Sequence, residues 1–156
     1  MKAVYQRVSK ADVTVDGEVI GKIDHGVMLL VGVVPEDTEA TADLLAKKVV
    51  EMRVFCDEND KMNRSLLDVG GSVLAVSQFT LCADISHGRR PDFFGAAPAT
   101  IAKPLFDYFC EALRQYGVQV ETGEFGADMQ VSLINDGPVT ILMDTDIWNK
   151  GGAKCK

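Results

Sequence analysis

The sequence predicts an α/β fold: a single compact domain of mixed β-sheets with two helices packed on them. Apolar residues alternate or run continuously through the first third of the chain, two middle segments carry them at helical spacing, and the last third returns to strand-like runs. With 156 residues, 47% of them hydrophobic and 25% charged, the chain is long enough to bury a core without disulfides and too apolar to be disordered.

The elements follow in order. "KAVYQRVS" alternates, and "ADVTV" and "EVIGKI" flank Asp16 and Gly17 as a hairpin, while the unbroken apolar run "GVMLLVGVV" predicts a central strand. "PEDTEATADLLAKKVVEMRVF" opens with acids, gains bases later and places Leu45, Val49 and Met52 on one face, which predicts a helix over 38–52. After the polar excursion "DENDKMNRSLLDVGG", "SVLAVSQFTLCA" reads as a second buried strand, interrupted by the polar pair Ser77 and Gln78 where it leaves the core. In "LFDYFCEALRQYG" the residues Leu105, Phe109, Leu113 and Tyr116 form one apolar face and Gly117 a stop. Regular helix is expected from Pro104, with 98–103 an irregular entry, because proline suits the first turn and not the interior. "VQVETGEF", "DMQVSLI" and "VTILM" then predict three more strands.

The formal charge of −7 argues against broad attachment to nucleic acid, although "HGRRP" and the tail "NKGGAKCK" concentrate positive charge locally. Without a signal-like apolar run at the N-terminus or a stretch near the ~20 apolar residues of a membrane span, a cytoplasmic protein without membrane association is expected. Cys56, Cys82, Cys110 and Cys155 form no C-x-x-C pair and read as buried or idle thiols. Only His25 and His87 could serve as the base of a serine hydrolase, and "VSQFT" lacks the G-x-S-x-G elbow, so a catalytic triad is not expected. No metal-ligand or phosphate-loop spacing occurs, so neither metal nor cofactor is expected.

"NDGPVT" at 135–140 raises a separate question. Asp136 and Gly137 suffice for a hairpin turn, and Pro138 removes an N–H from the next strand, so the segment reads either as a strand start at a sheet edge or as backbone shaped for a ligand. Taken with "SQFTL" at 77–81, it resembles the D-aminoacyl-tRNA deacylase family. "QRV" at 6–8, "KMN" at 61–63, "GGSVL" at 70–74, "RPDF" at 90–93 and "ADMQVSL" at 127–133 extend the resemblance from Met1 to about Asp144. The ending "TDIWNKGGAKCK" and Pro104 depart from it. The expected division is a deacylase domain over 1–145 and a tail of unknown role over 146–156.

The resemblance implies a homodimer that hydrolyses the ester of D-aminoacyl-tRNA, bound by its 3′ end at a site on the dimer interface, and that needs no metal or organic cofactor. It implies that Gly137 and Pro138 form a cis pair entering the partner's site, where fixed carbonyls receive an α-amino group and refuse an L side chain. Arg7 would support that loop, and Met129 reads either as core filler or as a wall of the pocket. Ser77, Gln78, Phe79 and Thr80 would be the catalytic residues, with the backbone N–H groups around Phe79 and Thr80 at the end of the strand stabilising an oxyanion, and the Phe79 ring reads as core packing. The adenosine 2′-hydroxyl would assist the water. Glycine has no side chain to refuse, so mischarged glycyl-tRNA is an expected second substrate. Arg89, Arg90 and Lys150 are the candidates for tRNA phosphates. The alternatives are a small-ester serine hydrolase using Ser77 and a noncatalytic module that binds RNA ends.

Overall fold

The computed structural model describes residues 1–149. The strand β1 (Lys2–Val15) is followed by β2 (Glu18–Ile23) and β3 (Gly26–Gly32), then by helix α1 (Glu39–Glu51). A short hairpin of β4 (Phe55–Cys56) and β5 (Met62–Arg64) leads to the single turn α2 (Leu66–Val69) and to β6 (Ser72–Ser77). Helix α3 (Ala99–Gln115), β7 (Val120–Thr122), β8 (Gln130–Asp144) and the short α4 (Thr145–Asn149) complete the described chain.

The β1 and β2 strands join through Asp16 and Gly17, both at positive φ (50° and 80°), the backbone a type I′ hairpin requires. β1 organises the six-stranded sheet. One edge is taken along its length by β8; the other is shared, with β3 on residues 2–8 and β2 on 11–15. β3, β6 and β7 pair in parallel, which demands crossovers, and α1 and α3 lie within them. β3 is therefore central, as its continuous apolar run predicts.

Two cores result. Leu45, Val49, Phe106, Phe109 and Leu113 of the helices meet Tyr5, Val27, Leu29 and Val73 on one side of the sheet. Val8, Val13, Met28, Leu74 and Val76 form the second core where the sheet curls over itself. The curl is tight: a Cβ on Gly21 of β2 would stand 2.8 Å from the Thr122 carbonyl of β7. At the chain's beginning, the buried Met1 ammonium pairs with Asp37 and donates to Thr145 Oγ1 at 2.6 Å, while the Thr145 N–H returns to the Met1 carbonyl at 3.0 Å.

Several elements differ from expectation. α1 has the expected limits, with Thr38 as N-cap accepting from the Thr41 N–H. α3 begins at Ala99, five residues before Pro104. Proline there removes one intrahelical bond on the solvent side, and burial of Ala102, Leu105 and Phe106 on the opposite side holds the turn together. Tyr116 is the C-cap of α3 and exposed, so it is not part of the buried face. The polar excursion contains a hairpin and, at Ser65 and Asp68, a capping box that starts α2. "DMQVSLI" and "VTILM" are two halves of β8. The run beginning "SVLAVS" leaves the sheet at Ser77, and Phe79–Cys82 form a 3-10 turn.

Cys82 and Cys110 are buried and Cys56 is exposed. Burial pushes the Cys110 thiol up to about 12 and raises that of Cys82, leaving little thiolate near neutrality. Treatment of the native protein with a thiol reagent at pH 8 followed by peptide mapping is expected to label Cys56 and to spare Cys82 and Cys110 until denaturant is added. Cys155 lies outside the described residues.

Candidate active site

The parallel strands β3 and β6 end together, and their carboxyl ends are where ligands bind in sheets of this kind. Pairing Val31 with Ser77 sets the exit point of β6. The Gln78 N–H then donates to the Val31 carbonyl at 2.8 Å and the chain winds into the 3-10 turn. Gly32 permits this: a Cβ there would lie 3.1 Å from the Gln78 carbonyl and 3.2 Å from both Leu81 Cβ and Cys82 Sγ.

In the turn, the Leu81 N–H bonds back to the Gln78 carbonyl. Among the described residues, the N–H groups of Phe79 and Thr80 have no acceptor. The Gln78 side-chain amide donates to the Thr80 hydroxyl, so Thr80 holds Gln78 in place. Ser77, Gln78 and Phe79 line a cavity of about 470 Å³ with Phe125, Asp128 and Met129 on its other wall. Met129 reaches that wall because residue 123 is glycine, where a Cβ would meet its sulfur at 2.5 Å. Phe79 corrects an expectation: its ring is 55% exposed and meets Phe93 edge-on at 5.0 Å, so it is not a core residue.

Neither histidine hydrogen-bonds Ser77. His25 packs edge-on against Phe55 at 5.1 Å, and His87 Nδ1 shares a 2.8 Å hydrogen bond with the Ser86 hydroxyl. No group of three His, Cys, Asp or Glu side chains stands ready to hold a metal among the described residues.

"NDGPVT" is not a hairpin. Gln6 pairs with Thr140 and Val8 with Asn135, so Arg7 alone on β1 stands opposite residues 136–139, and β8 bulges outward and resumes in the same direction. Proline is tolerated because the bulged residues have left the ladder. Gly137-Pro138 is a cis peptide, and both residues are exposed. Asn135 closes the base of the bulge, accepting from the Val139 N–H at 3.1 Å and donating to the Thr140 hydroxyl at 2.8 Å. Arg7, 8% exposed, braces it from below: Nε donates to the Asp136 carbonyl at 3.0 Å and Nη1 to the Val54 carbonyl at 2.6 Å.

The structure thus gathers Ser77, Gln78, Phe79 and Met129 at one cavity, with Thr80 beside it. Arg7 and Asp136 line a different one, of about 540 Å³. Gly137 and Pro138 do not line the first cavity in the same chain. Arg89 and Arg90 are exposed on the loop that follows the 3-10 turn; Lys150 lies outside the described residues. Phe125, Asp128, Asn135 and Val54 were not singled out from sequence as site or bracing residues. "ADMQVSL" contains Asp128 and Met129, but only the curl of the sheet brings that stretch over Ser77.

A family described as D-Tyr-tRNA(Tyr) deacylase matches residues 4–144. The chain is 61% identical over 145 residues to a D-aminoacyl-tRNA deacylase of Thermomicrobium roseum, covering 93% of this chain and 94% of that one. It is 59% identical to a D-aminoacyl-tRNA deacylase of Thermus aquaticus, covering 93% and 95%. A solved structure titled c-Myc DNA Unwinding Element Binding Protein superposes with a TM-score of 0.86 at 42% identity, over 92% of this chain and 98% of that one. A probable eukaryotic D-amino acid tRNA deacylase shares the fold, with a TM-score of 0.79 at 17% identity over 91% and 97%. With one family spanning almost all of the described residues and relatives near 60% identity over nearly their full length, this chain belongs to the D-Tyr-tRNA(Tyr) deacylase family.

Proposed function

We propose that this chain hydrolyses the ester bond of D-aminoacyl-tRNA, releasing the D-amino acid and the tRNA, at the cavity beside Ser77. The observation that carries the reading is the 3-10 turn, which presents two uncommitted N–H groups beside a cavity. That is the equipment of an oxyanion site.

The terminal adenosine lies against Ser77, Gln78 and Met129 with the aminoacyl carbonyl toward Phe79 and Thr80. Water attacks the carbonyl carbon, and the N–H groups of Phe79 and Thr80 carry the charge that develops on its oxygen. The bond to the ribose oxygen then breaks, that oxygen takes a proton, and the acid leaves. The ribose 2′-hydroxyl, next to the scissile ester, assists the water, so no protein nucleophile is required. The lack of any histidine hydrogen bond to Ser77 supports this route over a serine hydrolase.

Chirality is read by Gly137 and Pro138 of a second copy in a homodimer. Their exposure and their separation from the cavity of their own chain support that arrangement. The bulge offers carbonyls instead of a ladder, which accept an α-amino group and leave no room for an L side chain. A filter of this kind admits glycine, making mischarged glycyl-tRNA a second substrate. Arg89 and Arg90 contact phosphates near the 3′ end, in keeping with a chain too acidic for a long basic groove.

Deacylation of matched D- and L-tyrosyl-tRNA tests the reading; equal rates, or no cleavage of either, would overturn it. Ser77→Ala is expected to keep substantial deacylase activity. A fall of about a millionfold, the scale seen when a triad serine is removed, would establish the serine hydrolase instead. A protein that binds charged tRNA and never releases the amino acid would be the noncatalytic module.

A further inference from the structure

We propose that the loop over 84–94 is a docking surface for the unpaired nucleotides that precede the terminal adenosine of a tRNA, with one base stacked on Phe94 and neighbouring phosphates against Arg89 and Arg90. The inference rests on the proposed function for the identity of the RNA and extends its site beyond the catalytic cavity.

Phe94 is 93% exposed and Ile85 76%, an unusual commitment of large apolar side chains to water on so short a loop. The loop is nevertheless well tied. Asp84 and Asp92 exchange both backbone hydrogen bonds, at 2.8 and 2.9 Å. Their carboxylates are turned onto the loop's own backbone, Asp92 accepting from the Phe94 N–H at 2.7 Å and Asp84 from the Ser86 N–H at 2.8 Å. Arg89 and Arg90 have no hydrogen-bond or ion-pair partner among the described residues. An exposed aromatic ring on a tied loop, with free cations beside it, is the pairing that holds single-stranded nucleic acid.

Continuity with the catalytic cavity selects the occupant. Phe79 lines the cavity, its ring meets Phe93 edge-on, and Phe93 adjoins Phe94 in a depression that Arg90 also bounds. An RNA strand whose last nucleoside fills the cavity therefore meets this surface as it leaves. Two guanidinium groups without a carboxylate partner among the described residues suit the closely spaced phosphates of an RNA strand.

The test compares D-tyrosyl-tRNA with the D-tyrosyl ester of adenosine, which has no preceding nucleotides. Phe94→Ala is expected to raise KM for the tRNA by roughly 5- to 150-fold, the effect of losing one base stack. Kinetics on the nucleoside ester stay unchanged, and Phe94→Trp restores the tRNA KM. A Phe94→Ala enzyme with normal tRNA kinetics, or with equal losses on both substrates, overturns the proposal while leaving the deacylase reading intact. Conversion of Phe94→Ala to a smaller species in sedimentation assigns the surface to a second copy and also overturns it. A wild-type protein that cleaves neither substrate removes the functional reading and this inference together.

Discussion

Arg7→Ala is expected to abolish the preference for D- over L-tyrosyl-tRNA and to cost about 3 to 6 kcal/mol of stability. The guanidinium makes two charge-assisted hydrogen bonds to carbonyls, at Asp136 and Val54, each worth about 1.5–3 kcal/mol. Removing it leaves a buried acceptor unpaired under the bulge and frees the bulge to sag toward β1. Lysine keeps the charge but not the planar fork that spans both carbonyls, so Arg7→Lys should recover part of the stability and little of the selectivity. Gly137→Ala approaches the same joint from above. Its Cβ would stand 2.9 Å from both Arg7 Nη2 and Val139 Cγ2, at a φ of +129° that side chains rarely adopt. Urea unfolding and the ratio of deacylation rates on the two charged tRNAs measure both effects. An Arg7→Ala protein with the wild-type ratio would show that selection lies elsewhere.

Gly26→Ala should prevent folding, with a loss of more than about 4 kcal/mol. Gly26 pairs with Ser72 at the start of the parallel β3 and β6 ladder, and a Cβ would fall 1.9 Å from the Ser72 carbonyl oxygen and 2.7 Å from its nitrogen. Both are backbone atoms, so no rotamer change relieves the clash; the strands must separate. That same ladder fixes where Ser77 leaves the sheet, so any variant that survives should also lose activity. Gly17→Ala is the control: nothing lies within 4 Å of its Cβ, and only the positive φ is penalised, by about 1 to 2 kcal/mol. Similar unfolding curves for the two variants would contradict the close approach at Ser72.

What could be read from sequence depended on how local the cause was. The hairpin at Asp16 and Gly17 and the limits of α1 were legible because turn backbone and helix caps are decided within a few residues. The start of α3 was not, since Pro104 argues locally against a helix that tertiary burial of Ala102 and Phe106 maintains. "DMQVSLI" and "VTILM" read as separate strands because nothing in them reveals that both lie along the same β1. The "SQFTL" and "NDGPVT" motifs pointed to residues that the structure places beside a cavity and on a bulge, whereas Val54 beneath Arg7 and the exposure of the Phe79 ring depend on chain crossings that no spacing encodes.

The brace under the bulge also dates the site within the life of the chain. Arg7 and Asp136 are 129 residues apart, so β1 must wait for β8. At about 5–20 residues per second of synthesis, that interval is roughly 6 to 26 s. Throughout it β1 holds one long edge without β8, the condition in which strands pair with the wrong partner. Closure across such a separation is slow relative to local structure. The hairpin of β1 and β2 and the helix α1 can therefore be in place on the ribosome well before the bulge exists. A nascent chain halted before β8 would carry the Ser77 turn without the segment proposed to judge the substrate's hand.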